Sequence, residues 1–326
     1  YHMEDRNLLE HIDYEKGLYK YNGITCPLTD TNFPTVDPQN PLELTQKEAQ
    51  LMDVLAASFA HSEALQRHVR FLYSSGSMYL CMNGNLLFHG CIPMNEDGSF
   101  EKVEVDGVRY AGRALLDRLE RSAREAYFLP KDHPDKQKNV DKMWLLWCSA
   151  QSPLFGKSRM SAFERYFTKE KALHEEVYNS YYRLSADSHV CEQILKEFGV
   201  DPVHGHIING HVPVRQKDGE NPVKADGKLY VIDGGLSKAY QAKTGIAGYT
   251  LIFNSHYLAL AQHHDYISHP LSKPESDDMP TLQITQKMDK RILVSDTDAG
   301  KKLSQRIEEL RLLVKAYENG SFVERA

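Results

Sequence analysis

Apolar positions recur along the chain in two rhythms, one near every 3.6 residues and one near every second residue. Leu51, Leu55 and Phe59 follow Thr45-Gln46-Lys47-Glu48, a capping box that starts a helix. Leu65, Val69 and Leu72 continue on a second helix, with Gly76 at its end. A long amphipathic helix runs to about Phe128 through Leu115, Leu119 and Ala123. Residues 187–198 form another, closed by Gly199, and the last carries Leu303, Ile307, Leu310 and Val314. Between the helices lie short apolar runs punctuated by Gly, Asn and Asp, which read as strands. Asn83-Gly84 and Asp106-Gly107 predict hairpin turns, because a type I′ turn needs φ > 0 at both central residues. Residues 207–208 and 229–232 predict two buried strands, 249–253 and 257–261 a hairpin, and 282–285 and 291–295 two further strands. Residues 131–142 read as a charged surface loop, and the apolar segment after it places Trp144 and Trp147 in the core. Residues 1–44, polar and punctuated by proline, read as an extended arm or linker. Strands and helices mix without a strict βαβ rhythm, so the class is α+β with mixed sheets.

Composition narrows the functions. A chain of 326 residues with 41% hydrophobic and 26% charged positions can bury a sizeable core. A net charge of −6 leaves no basic footprint, so nucleic acid is not an expected partner. Cysteines 26, 81, 91, 148 and 191 make an odd count without a C-x-x-C pair, which argues against a disulfide framework or zinc knuckle and for reduced thiols in the cytoplasm. No apolar run approaches the roughly 18 residues of a membrane span, and no signal-peptide pattern opens the sequence. No membrane partner is expected. The chain begins Tyr1-His2-Met3 and reads as a piece of something longer.

Two strand ends carry the sharpest chemical signal. One apolar run ends at His89-Gly90 and another at Asn209-Gly210-His211. Imidazole beside glycine at a sheet rim suits a metal site, with the glycine allowing a left-handed turn or a close approach. The alternative is a pair of satisfied polar groups. Asp233-Gly234-Gly235 ends a third strand, either as chemistry or as a tight turn. Lys157 and Arg159 follow a Ser-Pro-Leu-Phe-Gly loop, as phosphate cations or as a solvated loop, without the spacing of a P-loop. Cys91 reads as a small buried thiol, and His263-His264-Asp265 as a surface cluster.

Several strings together resemble a known family. They include Thr31-Asn32-Phe33-Pro34, Leu72-Tyr73-Ser74-Ser75-Gly76-Ser77-Met78-Tyr79, Phe88-His89-Gly90-Cys91-Ile92-Pro93 and Ser152-Pro153-Leu154-Phe155-Gly156-Lys157. Phe163-Glu164-Arg165-Tyr166-Phe167, Asn209-Gly210-His211-Val212-Pro213-Val214 and the stretches 231–241 and 244–250 continue the likeness. The chain resembles the class III, Firmicutes-type fructose-1,6-bisphosphatases of the calcineurin-like metallophosphoesterase superfamily, over all but its last fifty or so residues.

The resemblance implies part of a four-layer α-β-β-α sandwich that hydrolyses the 1-phosphate of fructose 1,6-bisphosphate in gluconeogenesis, in the cytoplasm, with manganese in a binuclear centre. It implies His89 and His211 as metal ligands, and Lys157, Arg165 and Lys238 as contacts to substrate phosphate. Pro213 stands where some superfamily members place a further histidine. The family's strings G-D-x-H-G, G-D-x-x-D-R-G and G-N-H do not occur, and the chain has no Gly-Asp dipeptide. The expectation is therefore the C-terminal half of a longer enzyme, inactive alone, with the catalytic residues in an N-terminal half. Residues 1–44 would be the arm, 45–262 the half domain and 263–326 C-terminal strands and a helix. The missing half is an expected partner, and an exposed edge or apolar face favours a homo-oligomer. Two other readings stand beside this one: a phosphoprotein phosphatase of the same superfamily, and a non-catalytic regulatory or interaction module.

Overall fold

The computed structural model describes residues 4–235, 237, 242–245, 248–263 and 280–322. The chain divides into two compact units, residues 1–78 with 89–184 and residues 79–88 with 185–326. The first unit opens with an antiparallel meander of β1 (Ile12–Asp13), β2 (Leu18–Tyr21) and β3 (Ile24–Pro27). Asn22 and Gly23 join β2 to β3 with φ of 52° and 76°. Tyr19 and Tyr21 point inward and Lys20 outward. Tyr19 is fully buried among Ile12, Cys26 and Leu173. Residues 12–27 are thus a core element, which corrects the reading of 1–44 as an arm: alternation across an Asn-Gly turn outweighs the local polarity.

Helix α1 (Gln46–His61) starts at the expected capping box, Thr45 accepting from the Glu48 amide and Glu48 accepting from the Thr45 amide. It is followed at once by α2 (Glu63–Ser75), and neither helix buries a residue. The chain then contributes β4 (Tyr79–Met82) and β5 (Asn85–Phe88) to the second unit, across the Asn83-Gly84 turn. It returns as the hairpin β6 (Val103–Val105) and β7 (Val108–Tyr110), with Asp106 and Gly107 left-handed at the turn. Helices α3 (Gly112–Phe128) and α4 (Lys136–Cys148) pack with this hairpin around Val103, Val105, Leu115, Leu119, Leu145 and Leu146. Two expectations fail on α4. The charged stretch 131–142 is helical from Lys136, and Lys142 is buried. Trp144 and Trp147 are 43% and 63% exposed, because Leu145 and Leu146 occupy the buried stripe. Short helices α5 (Ala162–Phe167) and α6 (Tyr181–Leu184) complete the unit.

In the second unit, α7 (Ser188–Glu197) ends at Gly199, whose φ is 72°. It contacts β8 (His206–Asn209). Strands β9 (Val223–Lys224) and β10 (Leu229–Val231) extend the sheet to five strands in the order β4-β5-β8-β10-β9. Its three central strands are parallel and its edges antiparallel. A second sheet of β11 (Gly248–Phe253), β12 (Tyr257–His263) and β13 (Thr281–Lys287) is antiparallel throughout. Ile208 and Tyr230 from the first sheet pack with Leu258 and Leu260 from the second. Alternation along a strand puts Leu86, Ile207 and Leu229 on the opposite face, also buried. Residues 291–295 are not the predicted strand: they enter a single turn at Val294–Asp296 before α8 (Asp298–Glu318). Asp298 and Asn83 exchange two backbone-to-side-chain bonds, of 2.7 and 3.0 Å, which tie the start of α8 to the β4–β5 turn. The described fold is therefore mixed α+β. Among the described residues, no helix is long and apolar enough to cross a membrane.

Candidate functional site

Each of the two singled-out histidines follows the carboxyl end of a central strand. His89 is the residue after β5 and is exposed. His211 lies two residues after β8, partly exposed. The neighbouring β10 runs parallel to β8, Val231 opposite Asn209, and therefore delivers Asp233 to the same end of the sheet as His211. The Ile232 amide donates to the Asn209 carbonyl at 2.9 Å and the Val214 amide to the Asp233 carbonyl at 2.7 Å, so the two strand extensions stay tied beyond the regular ladder. Asp233 Oδ1 accepts from the Gly235 amide at 2.8 Å, the bond of an Asx turn.

Glycine serves differently from the expectation of a left-handed turn. The left-handed residue is His211 itself, with φ of 67°. The Val212 amide donates to the Gly210 carbonyl at 2.8 Å, so His211 is the central residue of a three-residue turn. A side chain held in this region costs on the order of 1–3 kcal/mol, and such strain clusters at functional positions. At the other histidine, Gly90 answers to crowding. A Cβ there would lie 2.5 Å from the Pro153 carbonyl oxygen, which accepts from the Cys91 amide at 2.9 Å.

Metal binding asks for more donors than these. Divalent manganese takes about six ligands, mostly oxygen, and a zinc-like site about four. Among the described residues, no group of three or more His, Cys, Asp or Glu side chains is placed to hold a metal ion. The described residues do not by themselves fit a metal centre.

Two of the three cations proposed for phosphate, Lys157 and Arg165, converge on a residue that the sequence did not single out. Glu176 accepts from the Ser161 amide at 3.0 Å and hydroxyl at 2.8 Å, and pairs with Lys157 at 3.1 Å. Arg165 reaches the same carboxylate at 3.8 Å while donating to Ser161 Oγ at 2.8 Å and to the His174 carbonyl at 2.6 Å. Burial opposes ionisation of Glu176, but the Ser161 donors and Lys157 outweigh it and hold the carboxyl below its usual range. Lys157 also lies over the rings of Phe155 and Tyr178, at 5.9 and 5.4 Å. Its strand neighbour is Tyr178, through an isolated bridge that brings the Glu176 segment alongside. Glu164, next to Arg165 in sequence, is fully buried and pairs instead with Arg6 at 2.9 Å. Arg159 donates to the carbonyls of Glu175 and Ala172. Lys238 lies outside the described residues, as do His264 and Asp265.

Cys91 is the inert thiol expected: burial pushes it up to about 12, far from a thiolate at neutral pH. No local pattern points to Glu176, because the residues it serves lie between 11 and 19 positions upstream.

A protein-family model described as Firmicute fructose-1,6-bisphosphatase matches residues 1–319. The "Fructose-1,6-bisphosphatase class 3" of Clostridium novyi (strain NT) is 50% identical over 319 residues, which is 98% of this chain and 48% of that protein. The "Fructose-1,6-bisphosphatase class 3" of Fusobacterium nucleatum subsp. nucleatum is 49% identical over 319 residues, 98% of this chain and 50% of its own length. No solved structure matches the chain. The chain spans about half the length of the curated relatives it matches. With half of its aligned residues identical across nearly its whole extent, it belongs to the Firmicute fructose-1,6-bisphosphatase family.

Proposed function

We propose that this chain is part of an enzyme that hydrolyses the 1-phosphate of fructose 1,6-bisphosphate, a phosphoric monoester hydrolase of gluconeogenesis acting in the cytoplasm. The observation that carries the reading is the 50% identity over 98% of the chain to class 3 fructose-1,6-bisphosphatases. The fold would be part of an α-β-β-α metallophosphoesterase sandwich, which the packing of Ile208 and Tyr230 against Leu258 and Leu260 supports. Manganese would be the metal, with His89 and His211 donating imidazole nitrogens and the other ligands coming from outside this chain. The described residues do not complete that centre.

What this chain offers is local positioning. The three-residue turn at His211 fixes the backbone from which the imidazole projects. Lys157, Arg165 and Lys238 are the proposed phosphate contacts. Lys157 and Arg165 are held by Glu176, so a phosphate would replace or share that carboxylate. On this reading the chain is inactive without the remainder of the enzyme.

The test is phosphate release by the full-length protein, with manganese or with a chelator, from fructose 1,6-bisphosphate and from a phosphoserine peptide. Manganese-dependent hydrolysis of the sugar bisphosphate at least tenfold faster than of the peptide is the expected result. Preference for the peptide would make it a phosphoprotein phosphatase, and no hydrolysis of either would leave a regulatory or interaction module.

A further inference from the structure

The first unit holds a polar cavity of about 290 Å³ lined by α3, α4 and the β6–β7 hairpin. The hairpin turn lowers a single carboxylate, Asp106, into a group of cations. Lys142 Nζ lies 2.5 Å from Asp106 Oδ2 and Lys138 Nζ 2.6 Å from Oδ1, while Arg118 Nη2 donates to Oδ2. A fourth cation, Arg121, lines the cavity one helical turn after Arg118. The cavity also has two other carboxylates, and Glu125 is engaged by the Asn139 amide at 3.0 Å. Asp135 stands at the start of α4.

Burial grades these cations. The Lys142 side chain is 2% exposed, Arg118 16% and Lys138 52%, so a buried ammonium forms the floor and more accessible groups form the wall. Four cations and three carboxylates line the cavity, so one positive charge is in excess there, in a chain whose net charge is −6. A single carboxylate has two oxygens and one charge; a phosphate-type group has three or more oxygens and close to two charges, which suits this many donors better. Arg118 and Arg121 supply planar forks and the two lysines point charges.

We propose that this cavity binds a small, multiply charged oxyanion of the phosphate type, held by Arg118, Arg121, Lys138 and Lys142 in competition with the built-in carboxylate of Asp106. Asp106 then acts as a resident counter-ion: it keeps the cations ordered in the empty cavity and sets a threshold that only a multivalent anion overcomes. Singly charged anions gain too little to compete with a carboxylate already in place.

Titration calorimetry of the 326-residue chain with inorganic pyrophosphate, at fixed ionic strength, tests this directly and needs no catalytic activity. Wild type is expected to bind with a dissociation constant below 1 mM by order of magnitude. Arg121→Ala, an exposed position, should weaken binding about tenfold while the circular dichroism stays unchanged. Asp106→Asn keeps one acceptor oxygen, removes the competing charge and should tighten binding about tenfold. Equal affinity in wild type and Arg121→Ala would overturn the proposal by placing pyrophosphate elsewhere. Absence of binding at 10 mM would overturn it too. Should Asp106→Asn fail to fold, the comparison of Arg121→Ala and Lys138→Ala with wild type decides the matter alone.

Discussion

The ammonium of Lys142 lies 2.5 Å from the carboxylate of Asp106, almost wholly shielded from solvent beneath a hairpin turn 36 residues earlier in the chain. Removing either partner is not equivalent. Asp106→Ala leaves Lys142 buried without its counter-charge, a loss of about 3–5 kcal/mol. Lys142→Met leaves Asp106 with Arg118 and Lys138 and replaces a buried charge by an apolar chain of similar length, so it should cost less than half as much. Urea unfolding of the two variants measures the difference.

Burial opposes ionisation of Asp106, yet hydrogen bonds and charge from Lys138, Lys142 and Arg118 outweigh it and hold the carboxyl well below its usual range. A depressed folded pKa contributes stability above the unfolded value of about 3.9, and that contribution is lost as the pH falls through the folded value. The stability gap between wild type and Asp106→Asn should therefore be constant from pH 7 to about pH 5 and narrow steadily below about pH 4. Urea midpoints across that range read it. A gap that widened on acidification would reverse the assignment.

At His211 the left-handed backbone separates strain from chemistry. His211→Ala and His211→Gly both delete the imidazole, but only glycine relieves a φ of 67°. The Gly variant should be more stable than the Ala variant by about 1 kcal/mol. Both should reduce hydrolysis by the full-length enzyme alike. Activity that differed between them would mean that the turn, not the imidazole, is what matters.

Glu176 sets up a test of phosphate recognition. Lys157→Ala in the full-length enzyme should raise KM for fructose 1,6-bisphosphate by one to two orders of magnitude, the loss of a charge-assisted contact worth roughly 1.5–3 kcal/mol. Glu176→Gln keeps acceptor capacity for Ser161 but releases Lys157, and should lower KM or leave it unchanged. If both variants alter only the unfolding midpoint, Lys157 is a partner for Glu176 and nothing more.

Gly90 answers to space, not to φ. Gly90→Ala should destabilise by about 1–3 kcal/mol, since its Cβ would sit 2.5 Å from a backbone oxygen that cannot swing away. Gly98→Ala faces open space but a φ of 85°, so its smaller cost comes from the backbone alone. Thermal melts of the two variants distinguish the causes.

Much of the local architecture was legible because its signals are local. Asn83-Gly84 and Asp106-Gly107 announced their turns, Thr45 its helix, and the runs before His89 and His211 their strands. Asn22-Gly23 carries the same signal, but the polar, proline-rich residues after it read as an arm. The error on α4 has another source. Its buried stripe is Asn139, Lys142, Leu145 and Leu146, half of it polar, while two tryptophans decorate the outer face. Hydrophobicity pointed to the wrong stripe, and a lysine is buried only when a distant carboxylate waits for it. Glu176 illustrates the same limit at the candidate site: its importance lies in three neighbours brought together by folding.

Helix α1 closes no core of its own: sixteen residues, a sound capping box, no buried side chain, and Leu51, Val54 and Phe59 each more than half exposed. An isolated helix of that length is marginal in water. Its amide protons should therefore exchange with deuterium orders of magnitude faster than those of α3, whose Leu115 and Leu119 are locked in. Whatever covers those exposed residues will slow the exchange, making α1 a built-in gauge of how much of this chain's apolar surface is occupied at any moment.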